Sequence, residues 1–178
     1  MRYLIVVDMQ NDFVTGSLGS KMAEMIVPAV CEKIRRYKAQ GSTVFMTLDT
    51  HFKDYLETPE GKKLPVEHCI KGTEGWQPET QVAEAIGGSA EVYEKDTFGS
   101  VKLMEDLLQR QTAGGIEEIE LIGLCTDICV VSNALLIKAF CPECEVIVDA
   151  NACAGVTEGS HKAALVTMAS CQCRIDNF

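Results

Sequence analysis

Short runs of β-branched and aliphatic residues alternate along this chain with longer stretches whose apolar positions recur every three or four residues. That rhythm predicts a parallel sheet with crossover helices. Strands are expected at Tyr3–Asp8, Thr43–Leu48, Glu91–Glu94, Glu118–Ile122, Glu145–Val148 and Gln172–Ile175. Helices are expected near Ala23–Ala39, Glu79–Ile86, Val101–Gln111, Ile128–Phe140 and Ser160–Ser170. Several strands, Leu4-Ile5-Val6-Val7 among them, are apolar at consecutive positions. A strand needs that pattern when helices cover both faces of its sheet. The expected fold is therefore a doubly wound, three-layer α/β/α domain around a six-stranded parallel sheet, occupying residues 1–178 without a linker.

One stretch breaks the rhythm. From Asp49 to Pro78 neither period holds, and the segment carries Thr58-Pro59, Leu64-Pro65 and Lys71-Gly72. A loop of that length in a compact domain is either disordered or functional. This one contains His51, His68 and the single tryptophan, Trp76, which favours function. It leaves the carboxyl end of the second strand, the edge at which open α/β sheets bind ligands.

The formal net charge of −10, with no clustered Lys or Arg, argues against nucleic acid and anionic membrane surfaces as partners. No apolar run is long enough to span a bilayer, and the apolar start is too short for a signal-peptide core. Nine cysteines, an odd number, fit a reducing cytoplasm better than a secreted disulfide framework.

Three strand ends carry chemistry. Asp8 closes the first strand and Lys95 follows the third. Gly123-Leu124-Cys125-Thr126-Asp127-Ile128-Cys129 turns from the fourth strand into a helix, which puts Cys129 in the first helical turn. The helix dipole and Lys95 would favour a thiolate there, and Asp8 could take the thiol proton and hand it to a leaving amine. The plain alternative is a small core cysteine and a capping aspartate. Asp49 and His51 point the same way in extended chain, and with His68 and Glu60 they form a donor set suited to Zn²⁺, Mn²⁺ or Fe²⁺. Against that stands the possibility that two loop histidines are merely solvated.

Asp8-Met9-Gln10-Asn11-Asp12-Phe13, Glu94-Lys95-Asp96-Thr97-Phe98 and Gly123 to Val130 together resemble the motifs of the isochorismatase-like cysteine hydrolases, in their order and over nearly the whole chain. The resemblance implies a catalytic Asp8, Lys95 and Cys129. It further implies a cis peptide between Leu124 and Cys125 and an oxyanion hole formed by the backbone N–H groups of Cys125 and Cys129. Among these hydrolases the nicotinamidases hold a metal, and Asp49, His51 and His68 match their ligands. Glu60 matches the variant in which a glutamate is the fourth, with Glu57 as fallback. The implied reaction is hydrolysis of a small amide, nicotinamide foremost, with Phe13 and Trp76 lining the pocket and a homo-oligomeric assembly. Leu64-Pro65 stands where these enzymes often carry an aromatic residue, which leaves room for another small amide or a carbamoyl compound. Cys129 argues against the vinyl-ether chemistry of true isochorismatases.

Cys141, Cys144, Cys171 and Cys173 precede or open the last two strands and would make a structural zinc site if those strands were neighbours. His161 reads as structural. Two rival classes are a redox protein using Cys125 and Cys129, whose spacing is not that of thioredoxin, and a non-catalytic relative that binds a small ligand or a partner protein.

Overall fold

The computed structural model describes all residues, Met1–Phe178. Six parallel strands form one sheet in the order β3-β2-β1-β4-β5-β6. They are β1 (Arg2–Val7), β2 (Thr43–Asp49), β3 (Glu91–Lys95), β4 (Glu118–Leu124), β5 (Glu145–Ala154) and β6 (Arg174–Asp176). Helices α1 (Asn11–Val14), α2 (Lys21–Ala39), α3 (Thr80–Ile86), α4 (Val101–Gly114), α5 (Val131–Phe140) and α6 (Glu158–Ser170) complete it.

Alternate residues of each central strand enter two separate cores. Tyr3, Ile5 and Val7 face a cluster with Leu107, Ile137 and Leu165 from α4, α5 and α6. Leu4 and Val6 face the other, with Val30 and Ile34 of α2 and Val82 of α3. The unbroken apolar strands are thus the signature of a sheet covered twice, as their pattern predicts. No helix is long and apolar enough to cross a membrane.

Caps set the helix starts. Ser20, Ser100 and Thr157 accept hydrogen bonds from the N–H groups of Ala23, Leu103 and Ser160, satisfying donors that the first turn leaves free. The Ser20 cap starts α2 at Lys21, ahead of the expected Ala23.

The departures from expectation sit at edges. β5 continues to Ala154, well past Val148, after a register shift against β4 between Leu121 and Gly123. β6 is Arg174–Asp176, later than expected, because the chain turns at Gln172 with φ 67°. The expected helix from Ile128 begins instead as a wide π-type turn over Thr126–Val130, and α5 proper starts at Val131. The four-residue α1 was not expected; it is too short for a period to register.

The sheet order reverses between β1 and β4, whose carboxyl ends frame a crevice. Gly123 makes this junction possible. Its φ is 114°, and a side chain there would run into the Val7 backbone.

Candidate active site

Strand register assembles the site. Val7 pairs with Thr47, and Asp49 pairs with Lys95, so the ends of β1, β2 and β3 lie side by side. Asp8 leaves β1 with φ 46°, in the left-handed region that aspartate tolerates better than most residues. Its side chain is fully buried. Oδ1 accepts a 2.6 Å hydrogen bond from Thr47 Oγ1, and Oδ2 lies 2.7 Å from Lys95 Nζ. The same ammonium is 3.2 Å from Asp49 Oδ1 and 3.5 Å from Cys129 Sγ. Asp8, Lys95 and Cys129 thus meet at one buried point, with Asp49 on the far side of the lysine.

The charges explain one another. Burial raises Asp8, against the opposing pull of Lys95, and the Asp49 charge raises it further. Burial also raises Cys129 well above a free thiol, the Asp8 charge adds to this, and Lys95 counters it. Lys95 is desolvated too, yet Asp8, Cys129 and Asp49 hold it well above its ordinary value. Thiol, carboxyl and amine are thus each held by the other two.

Behind this cluster, Asp49, His51 and His68 bring their donor atoms within 4.8 Å of one another, all buried. Asp49 Oδ2 is 3.0 Å from His51 Nε2 and 3.5 Å from His68 Nε2. Burial works against the Asp49 charge, but His51, His68 and Lys95 hold its carboxyl well below the usual range. His68 Nδ1 is bonded to the Val66 carbonyl at 2.8 Å, which turns Nε2 inward. His51 Nε2 is buried and, although 3.0 Å from Asp49 Oδ2, makes no aligned hydrogen bond. An orphaned imidazole nitrogen facing a carboxylate and a second imidazole is the donor set of a divalent-metal site. Glu60 Oε1 lies 3.8 Å from His51 Nε2 and 3.9 Å from His68 Nε2, whereas Glu57 is exposed. Of the two glutamates, Glu60 is the one at the cluster.

Glu60 is held by a tight turn. Thr58 Oγ1 donates to the Tyr55 carbonyl at 2.7 Å and accepts from Gly61 N at 3.0 Å, while Tyr55 OH donates to the Leu64 carbonyl at 3.0 Å. Gly61 packs so closely on the Tyr55 carbonyl that no side chain fits.

Two buried residues that sequence reasoning did not single out organise these groups. Thr47 holds Asp8. Gln10 stands in for the strand residue that β1 lacks beyond its end: Nε2 donates to the carbonyls of Asp49 and Trp76, at 2.8 and 2.9 Å, and Oε1 accepts from Asp49 N at 2.7 Å. Neither residue titrates or matches a ligand spacing, so only their contacts reveal them.

A cavity of about 790 Å³ opens from Cys129, Cys125, Asp49 and His68 to solvent. Phe13 lines it and packs on His68 with ring centroids 5.5 Å apart. Trp76 does not line it. Its Nε1 donates to Thr50 Oγ1 at 2.9 Å, and the indole packs against the α2 side of the core, which corrects the expected substrate role. The Leu124–Cys125 peptide is cis. Burial pushes the Cys125 thiol up to about 12. Thr126 Oγ1 is bonded to His161 Nδ1 at 2.8 Å, tying α6 to the π-type turn that carries Cys129. The four cysteines Cys141, Cys144, Cys171 and Cys173 form no metal cluster: three are buried, Cys171 is exposed, and all nine cysteines are free thiols.

A profile of the Isochorismatase domain matches residues 2–175. The chain belongs to the isochorismatase family. A nicotinamidase/pyrazinamidase of Mycobacterium tuberculosis is 30% identical over 150 residues, covering 75% of this chain and 77% of that protein. Among solved structures, a nicotinamidase/pyrazinamidase from Bacillus subtilis superposes with a TM-score of 0.87 at 26% identity, covering 99% of both chains. A Pyrococcus horikoshii pyrazinamidase in complex with zinc gives a TM-score of 0.83 at 27% identity, again over 99% of both chains. This member of the isochorismatase family thus shares its six-stranded α/β architecture with nicotinamidases along nearly its full length.

Proposed function

We propose that this chain is a cysteine amidohydrolase that converts a small primary carboxamide of the nicotinamide class to its carboxylate and ammonia. The observation that carries this reading is the buried Asp8–Lys95–Cys129 cluster, whose Cys129 opens onto a cavity shared with Asp49 and His68. Relatives with the same architecture are nicotinamidases and pyrazinamidases.

Asp8 acts as the base that removes the Cys129 proton, and Lys95 at 3.5 Å stabilises the sulfur anion as it forms. The thiolate adds to the amide carbon, and the oxyanion is received by the backbone N–H groups of Cys125 and Cys129. Asp8, now protonated, gives its proton to the leaving nitrogen, and ammonia departs from a thioester on Cys129. Asp8 then accepts a proton from water as it adds to the thioester; collapse expels the Cys129 sulfur and releases the acid. Asp49, His51 and His68, with Glu60 as fourth ligand, would hold a divalent ion, zinc first and manganese or iron(II) as alternatives. When bound, such an ion supplies a Lewis-acidic anchor for an aromatic ring nitrogen. Phe13 shapes the wall beside it.

Ammonia release from nicotinamide by the purified protein, alongside elemental analysis, tests the reading. Turnover accompanied by an equimolar divalent metal is the expected result. Cys129→Ala should lower kcat by at least about 10⁴-fold while leaving thermal unfolding nearly unchanged. Substantial residual turnover in that variant would remove Cys129 as the nucleophile.

A further inference from the structure

The cavity is far larger than the amide that the reaction needs. A single-ring carboxamide displaces on the order of four or five waters, about 130 Å³ at roughly 30 Å³ apiece. The cavity holds about 790 Å³, within the range of roughly 300–1,000 Å³ that encloses ligands of drug size. Bulk has only one direction in which to extend. The leaving nitrogen must face Asp8, which is completely buried, so free volume lies on the acyl side, from Cys129 outward.

The outer part of that volume is apolar, and it is built by four separate segments. Leu18 follows α1, Leu64 belongs to the loop after β2, Phe98 follows β3 and Val156 follows β5. Three of these are large apolar side chains held in solvent: Leu64 is 38% exposed, Phe98 48% and Val156 58%. Apolar side chains converging on one opening mark a ligand surface rather than scattered exposure. Of the charged residues in the lining, Lys63 is the single Lys or Arg, against Asp96 at the mouth and Glu60 and Asp49 beside the histidines, so the lining offers no cationic surface for an anionic group.

Resting on the amidohydrolase reading above, we infer that the preferred substrates are primary carboxamides carrying an uncharged apolar extension on the acyl side. The extension lies along Leu18, Leu64, Phe98 and Val156, and the bare single-ring amide underfills the site. The reaction is unchanged: the carbon–nitrogen bond breaks, water supplies the new oxygen, and ammonia leaves.

The test is ammonia release by the purified protein with nicotinamide, a 5-alkylnicotinamide series from methyl to hexyl, and phenylalkanamides of increasing length. kcat/KM is expected to rise roughly fourfold for each of the first methylenes buried. Phe98→Ser combined with Val156→Ser should flatten that rise, read as the ratio of extended to single-ring amide within each protein. Nicotinamide equalling or exceeding every extended amide would overturn the inference while leaving the amidohydrolase intact, and would mean that another wall, such as a second copy of the chain, closes the mouth. An unaltered chain-length slope in the double variant would overturn the assignment of the mouth residues. No ammonia from any amide would overturn both readings.

Discussion

Gln10→Leu removes one carboxamide and leaves three backbone groups without partners. Gln10 is fully buried, and its side chain satisfies Asp49 N–H, the Asp49 carbonyl and the Trp76 carbonyl. β1 has already ended at Val7, so no strand residue can replace it. An orphaned buried donor or acceptor costs about 1–3 kcal/mol. Carbonyls relax more readily than N–H groups, so a total of about 3–5 kcal/mol is expected. For a chain of 178 residues, each kcal/mol lowers Tm by about 2–4 °C, which places the loss at roughly 6–20 °C. Thermal unfolding followed by circular dichroism measures it. Gln10→Glu keeps the acceptor for Asp49 N–H but loses both donated bonds. A Gln10→Leu protein melting within about 3 °C of the parent would refute the reasoning, because it would show the three groups satisfied some other way.

Lys95→Met separates two buried carboxylates from their shared cation and should cost about 3–5 kcal/mol at neutral pH. The loss should depend on pH with a defined sign. Burial already raises Asp8, so its charge opposes folding as pH climbs from 3.8 through its folded value, and Lys95 counteracts that rise. Urea titrations should therefore show a deficit that shrinks toward acid pH; an equal deficit at both ends would disprove the coupling. Thr47→Val takes a hydrogen bond from the Asp8 carboxylate. It should shift the acid limb of the kcat/KM profile to higher pH, and an unmoved limb would show that Asp8 does not set it. His51→Ala should weaken zinc binding by more than the roughly 10–100-fold that loss of an outer hydrogen-bond partner costs. Calorimetric titration showing unchanged affinity would remove His51 from the ligand set.

The sheet was legible because burial on both faces forces consecutive apolar residues, as at Leu4–Val7. The order of titratable residues at strand ends also pointed to a shared site, and register brings Asp8, Asp49 and Lys95 together. What escaped depends on neighbours distant in sequence. Gln10 and Thr47 are ordinary polar residues until β2 is laid beside β1. Trp76 stood out by composition, yet its indole is directed by Thr50 rather than by the cavity. The π-type turn at Thr126–Val130 leaves no periodic trace, since one widened turn is shorter than the window in which a period shows. Convergence of Cys141, Cys144, Cys171 and Cys173 would have required a geometry that spacing does not encode.

The turn from Thr58 to Leu64 carries Glu60 at one end and Leu64 at the other, and its hydrogen bonds close on Tyr55 within the same loop. It is a cassette. Grafting residues 58–64 between members of the family would transplant a carboxylate that faces His51 and His68 and a piece of the cavity mouth in a single operation. Tyr55 is needed in the recipient to receive them. For a protein engineer, the proposed function would make affinity for an ion and the length of substrate admitted pass together here. Separating them calls for point changes at Glu60 or Leu64 rather than loop exchange.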